Sequence, residues 1–319
     1  MVMNPGQTAH QRRFTVSARH FTWLAFACAI AYALIIVSGG AVRLTGSGLG
    51  CPNWPACYDQ QILPQASIHP LVEFGNRMVT GFISIVTIAT VVAAYLRKER
   101  RRDLIVLSWA LLGGILAESV WGAVVVYTKL NPYTVMVHFL VAPIFLGLAI
   151  LLVERSRRDY SVPSLLIAPR AIVTLSKVQI GLALLVVALG TAVSNAGPHA
   201  GNFAGQEVAH RLNVDLRTMV EIHSAAATVL IGFVLATVFA VSALGLAKEI
   251  ERISTRLIIV VMAQGAIGVV QYVTHLPTWL VELHIAGSVL VLIGVLRFHL
   301  ALNFRPLLSH AVGRAAKAR

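Results

Sequence analysis

Long apolar stretches alternate with short polar ones along the whole chain. The apolar runs occupy residues 21–42, 71–96, 104–127, 133–153, 171–193, 218–243, 257–274 and 279–301. Each has, or nearly has, the roughly 20-residue length an α-helix needs to cross the hydrocarbon of a bilayer. The pattern predicts eight transmembrane helices. In two of the runs a four-residue phrase recurs, Val220-Glu221-Ile222-His223 and Val281-Glu282-Leu283-His284. These runs begin near Arg217 and Thr278, so at the helical rise each imidazole lies about 9 Å below the start of its helix. A histidine in hydrocarbon is costly unless it has a partner. A hydrogen bond to a neighbouring carbonyl explains one such histidine. Two at equal depth point instead to one flat ligand held between two helices.

Composition sharpens the class. Of 319 residues, 57% are hydrophobic and 12% charged, with a mean hydropathy of +0.77, which excludes an ordinary soluble domain and a disordered chain. The cations then set an orientation. Arg12, Arg13 and Arg19 precede the first run; Arg97, Lys98, Arg100, Arg101 and Arg102 follow the second; Arg155, Arg157, Arg158 and Arg170 follow the fourth. Lys248, Arg252 and Arg256 follow the sixth run, and Arg305, Arg314, Lys317 and Arg319 close the chain. The alternate loops hold only Arg43, Lys129 and Arg211, with Arg77 and Arg217 at helix mouths. By the positive-inside rule both termini are cytoplasmic, in a multi-pass protein of the cell membrane. The net charge of +13 reads as this asymmetry plus attraction to anionic lipid, not as a nucleic-acid surface. The first run is of spanning length without a small-residue cleavage pattern, so no cleavable signal peptide is expected.

The first half can be laid on the second. Gly39-Gly40-Ala41-Val42 matches Gly190-Thr191-Ala192-Val193, Gly122-Ala123-Val124-Val125 matches Gly268-Val269-Val270-Gln271, and His138 matches His284, at offsets of about 150 residues. The fold class expected is an all-α integral membrane protein of eight helices, arranged as two tandem pseudo-symmetric four-helix bundles, residues 1–160 and 161–319. The linker from Glu154 to Arg170, with Pro163 and Pro169, separates them. Ligand sites in such bundles are built from side chains on facing helices, here the second and fourth of each half.

The loop after the first run, Arg43 to Cys57, is rich in turn formers. Cys51 and Cys57 lie six apart across two prolines, on the side that this topology makes oxidising. A disulfide is expected, with a pair of reactive thiols the alternative. Their spacing does not resemble a zinc site. Cys28, inside the first run, reads as a small packing residue. Glu73 and Asn76 share a helix face near the depth of His223. A carboxyl there suits proton transfer, or else a structural ion pair with Arg77 or Arg43. Glu118, deep in the third run, falls where the second half has Gln264; a buried hydrogen bond and a place on a proton path are its two readings. Gln264 and Gln271 read as interhelical hydrogen bonds. His69, His199, His210 and His275 lie at or outside helix mouths, solvated or in contact with a ligand's carboxylates.

Together, Arg43-Leu44-Thr45-Gly46-Ser47-Gly48, then Cys51-Pro52-Asn53-Trp54-Pro55-Ala56-Cys57, then Glu73, Asn76 and Arg77, then His138, His223 and His284 resemble the haem A synthases over nearly the whole chain. The resemblance implies a membrane oxidoreductase that converts haem O to haem A for cytochrome oxidase, oxidising a porphyrin ring methyl to a formyl group in successive steps with a bound haem b assisting. It implies that His223 and His284 are the axial ligands of haem b, that His138 ligates the haem of the N-terminal half, that Glu73 is the acid needed for turnover, and that Cys51 and Cys57 are disulfide-bonded. Haem O is then the substrate. Haem O synthase and an electron donor such as a quinol are expected partners, alongside membrane lipid.

One position departs from the family. Three residues after the glutamate the family commonly has histidine, whereas this chain has Asn76. An amide is a poor iron ligand beside imidazole, so the N-terminal haem is expected to be five-coordinate or water-ligated, a state open to reactants. The C-terminal half is then the electron-transfer or structural haem site, and the N-terminal half the reaction site. Arg43, Arg77, Lys129, Arg211 and Arg217 are candidate partners of haem propionates or ordinary loop charges. Two other classes compete: a b-type cytochrome passing electrons between quinol and another carrier, and a non-catalytic haem transporter or assembly chaperone.

Overall fold

The computed structural model describes residues 15–59, 61–158, 165–199, 201 and 210–304. Arg12, Arg13, Pro163, Arg305, Arg314, Lys317 and Arg319 lie outside the described residues. Eight helices succeed one another, α1 (Ala18–Leu44), α2 (Ile68–Leu96), α3 (Arg102–Tyr127), α4 (Pro132–Arg157), α5 (Arg170–Ala196), α6 (Leu216–Ala243), α7 (Lys248–Val273) and α8 (Thr278–Ala301). All eight are long and apolar enough to cross a membrane, and the chain is an all-α membrane protein. A two-residue antiparallel pairing of β1 (Leu165–Leu166) with β2 (Asn303–Phe304) ties the linker after α4 to the end of α8.

The helices outrun the apolar segments that predict them, most clearly at α7, which starts at Lys248 rather than near residue 257. Its added turns are polar. Glu249 and Glu251 occupy the first turn, where carboxylates favour the positive end of the helix dipole. At other starts the local chemistry is a side-chain cap. Asn131 accepts from Tyr133 N–H at 3.0 Å, with Pro132 as the first helical residue of α4. Asp215 accepts from both the N–H and the hydroxyl of Thr218 at the start of α6. These two donors hold the Asp215 carboxyl below the ordinary aspartate range.

Within the first half α1 packs on α2 and α4, and α3 packs on the same two, closing a ring; α5 to α8 close a second ring in the same manner. Contacts of α1 with α8, and of α4 with α5 and α8, join the rings. Each ring has its own apolar core. Phe21, Ile83, Leu111, Leu146 and Leu152 are fully buried in the first, and Ile172, Val234, Ile250, Val295 and Phe298 in the second. Large apolar residues such as Trp23, Ile85, Val120, Phe239 and Leu290 are exposed. On spans apolar all round, such residues face lipid, and association between helices rests on close packing rather than on the hydrophobic effect.

Two turns set the depth of the histidines on α4 and α8. α3 ends in Thr128-Lys129-Leu130 and α7 in Thr274-His275-Leu276, with Lys129, Leu130, His275 and Leu276 all at positive φ, between 51° and 65°. Left-handed backbone is unfavourable for such residues. Here Leu130 N–H donates to Val125 O at 3.0 Å and Leu276 N–H to Gln271 O at 2.7 Å. The reversals start α4 and α8 at Pro132 and Thr278. His138 and His284 therefore stand six residues inside their helices, at one level.

Candidate functional site

In the C-terminal ring, His223 on α6 and His284 on α8 face each other across the diagonal. Their ring centroids are 6.3 Å apart and their planes are inclined at 70°. Two metal–imidazole bonds of about 2.0 Å, plus roughly 1.1 Å from each coordinating nitrogen to its ring centre, reproduce that separation. The separation alone is that of two imidazoles on one metal atom. His223 Nδ1 lies 3.0 Å from the carbonyl oxygen of Val186 on α5, which leaves Nε2 as its free nitrogen. Glycine lies beside each ring. A Cβ on Gly190 would come within 3.2 Å of His223 Cε1, and one on Gly268 within 3.0 Å of His284 Cε1. Any larger residue at these places would displace the imidazole.

Polar atoms without partners gather on the same helices. His284 Nδ1, Glu282 Oε2, Gln264 Oε1 and Gln271 Oε1 are buried with no hydrogen-bond partner among the described residues. Native interiors carry few such groups, and each calls for an explanation. No three His, Cys, Asp or Glu side chains among the described residues converge as a metal site. Gln264, expected to bond between helices, does so through Nε2 to His284 O at 2.8 Å. At the end where α5 and α7 terminate, a cavity of about 810 Å³ is lined by Gly197, Arg211, Leu216, Tyr272 and His275 among others.

The N-terminal ring repeats the placement with different chemistry. His138 on α4 makes a short contact through Nδ1 with the Glu118 carboxylate of α3. A Cβ on Gly122 would meet its Cε1 at 4.0 Å. Asn76 on α2 accepts from Ser38 Oγ of α1 at 2.7 Å, next to Gly39. Cys28 is buried as a packing residue, its Sγ 3.2 Å from Thr90 Oγ1.

Above this ring the loop from Thr45 to Ser67 is clamped by Arg77. Its guanidinium donates to the carbonyls of Asn53, Pro55, Ala56 and Cys51 and to Glu73 Oε1, the last at 2.6 Å. Glu73 Oε2 accepts from Cys51 N–H at 2.7 Å. Cys51 and Cys57 form the expected disulfide. Glu73 is ion-paired, and its partner is Arg77 rather than Arg43. Arg77 has its donors committed to protein. Arg43 is buried and donates to Ser194 O of α5 at 3.0 Å, joining the two halves. Arg217 pairs with Glu221 on the surface. Of the mouth histidines, His69 contacts Ser47 Oγ through Nδ1, His199 contacts Leu276 O, His275 lines the cavity, and His210 is exposed.

Comparison with known proteins gives a family match over most of the chain. Residues 22–296 match the COX15-CtaA family, whose description is cytochrome oxidase assembly protein. A Geobacillus thermodenitrificans protein named Heme A synthase is 38% identical over 130 residues, 39% of this chain and 40% of the relative. One of the same name from Geobacillus kaustophilus (strain HTA426) is 35% identical over 129 residues, again 39% and 40%. A third, from Lysinibacillus sphaericus (strain C3-41), is 30% identical over 135 residues, 42% of this chain and 44% of the relative. The matched stretches thus cover 40% to 44% of the length of these curated relatives.

Proposed function

The chain belongs to the COX15-CtaA family of cytochrome oxidase assembly proteins, and from this we propose that it is a haem A synthase, oxidising a ring methyl of haem O to the formyl group of haem A. The observation that carries the reading is the 6.3 Å separation of the His223 and His284 rings. It fits a haem b ligated on both faces, and the buried unpartnered atoms around His284 support the same ligand. A haem saturated by two imidazoles supplies electron transfer, since no position is left for a reactant.

Residues 161–319 then form the haem b half and residues 1–160 the reaction half. The pseudo-symmetry of the two is supported by the matched turns before α4 and α8 and by a glycine facing each histidine. In the reaction half His138 holds the iron of haem O on one face. Asn76 leaves the other face without an imidazole. Arg77 and Glu73 fix the disulfide loop above this site, so Glu73 serves turnover first by holding that loop against α2. A carboxylate gripped on one oxygen by a guanidinium and on the other by a backbone N–H is fixed in place, which suits an anchor. In the C-terminal half Arg211 and His275, at the mouth of the cavity, are placed to meet the carboxylates of the cofactor. A quinol as electron donor and haem O synthase as supplier of substrate complete the proposal, with both termini on the cytoplasmic side of the cell membrane.

The test is to express the protein in cells supplied with haem O and to analyse the extracted haems by mass and by pyridine haemochrome spectrum. A formyl haem is expected. Unchanged haem O with a redox-active haem b would make the protein an electron-carrying cytochrome, and exchange of haem without chemical change would make it a carrier.

A further inference from the structure

Two histidines of the two bundles have Nδ1 against groups of different kinds. His223 Nδ1 meets a neutral backbone carbonyl, that of Val186. His138 Nδ1 meets the carboxylate of Glu118. Glu118 comes from the neighbouring helix, and its side chain is only 13% exposed. At the corresponding place in the second half Gln264 turns away from the imidazole and donates to the backbone carbonyl of His284. The α3–α4 packing that allows the contact is close: a Cβ on Gly114 would overlap the Phe145 ring. The carboxylate is thus a feature of the N-terminal half alone.

We propose that Glu118 is the positioning residue of the N-terminal site, acting through His138 on the iron of the bound haem. The inference rests on the reading of His138 as that iron's ligand. With Nδ1 held against the Glu118 carboxylate as an ion-pair contact, Nε2 is the ring nitrogen left for iron, and the ring is positioned from α3. An imidazole whose second nitrogen donates to a carboxylate is a more basic ligand, and hydrogen bonds to charged acceptors are roughly twice as strong as those to neutral ones. Stronger donation favours ferric over ferrous iron. The N-terminal haem is therefore held at a lower potential than a neutral partner would give it, and the two haem sites differ electronically through the partner of one nitrogen.

The experiment uses full-length protein purified with its haems, as wild type and as Glu118→Gln, Glu118→Asp, Glu118→Ala and His138→Ala. The readouts are the ferrous iron–histidine stretching band in resonance Raman and the midpoint potential of the N-terminal haem. The low-spin signal of the C-terminal haem serves as the check on folding. Glu118→Gln should lower the stretching frequency and raise the potential, Glu118→Ala should do so further, and Glu118→Asp should restore the wild-type direction in part. Wild-type band and potential in Glu118→Gln, with the low-spin signal intact, overturn the role of Glu118. A band that survives His138→Ala overturns instead the assignment of His138, whatever Glu118 does. Loss of the low-spin signal in Glu118→Gln shows a general structural role and also overturns the proposal.

Discussion

His223 and His284 belong to helices on opposite corners of one ring, yet their side chains stand 6.3 Å apart, centroid to centroid, with Gly190 and Gly268 beside their Cε1 atoms. The small residues are as much part of the centre as the imidazoles, because they set how far each ring can retreat from the other. Gly268→Val is expected to push His284 inward or rotate it, and to cut haem b content several-fold. Gly181→Val, on the same bundle with open space around it, should leave the content unchanged. The ratio of haem to protein after purification measures both, and full occupancy in Gly268→Val would show that the glycine is not needed.

Arg77 is predicted to be a structural clamp. Its side chain is 15% exposed and that of Glu73 7%, so Arg77→Ala leaves a buried carboxylate without its cation, a change that costs on the order of 3–5 kcal/mol. Arg77→Lys keeps the charge but not the fork that spans four carbonyls, and should fall between. Faster proteolysis of the 45–67 loop and a lower melting temperature check this ordering. Equal stability of all three proteins would contradict it.

Glu73→Gln should retain haem b and stop formyl production. The amide keeps an acceptor for Arg77 but brings an N–H group toward Cys51 N–H, which had donated to the carboxylate. Extracted haems report the outcome. Normal output of formyl haem would remove Glu73 from the reaction, as anchor and as acid alike.

The sequence made the helices and the paired histidines legible because both arise from the cost of polar groups in hydrocarbon. Apolar runs mark where lipid lies, not where helical hydrogen bonding stops, and so the early start of α7 at Lys248 was not legible. His223 and His284 stand out by depth alone. The partner of His138 does not, since whether Glu118 reaches it depends on the rotation of α3 against α4. The destinations of Arg43 and Arg77 were equally hidden. Both donate to backbone carbonyls, which any residue supplies and no sequence pattern marks. Gly190 and Gly268 were visible as repeat positions, but their role beside the imidazoles emerges only from packing.

Orientation gives another prediction. By the positive-inside rule, the cations following α2, α4 and α6 predict that those helix ends and both termini are cytoplasmic. A reporter that is active only outside the cytoplasm should be inactive when fused after residue 319 and active when fused in the loop between α5 and α6. The reverse pattern would invert the topology and move the disulfide loop to the reducing side.

The account depends most on one iron held between two imidazoles, and the direct measurement is low-temperature EPR with optical spectra of the purified protein. A low-spin ferric signal and a Soret band are predicted for the wild type, with loss of that low-spin signal in the His223→Ala, His284→Ala double variant. Full low-spin haem in the double variant, or wild-type protein without a Soret band, would contradict it.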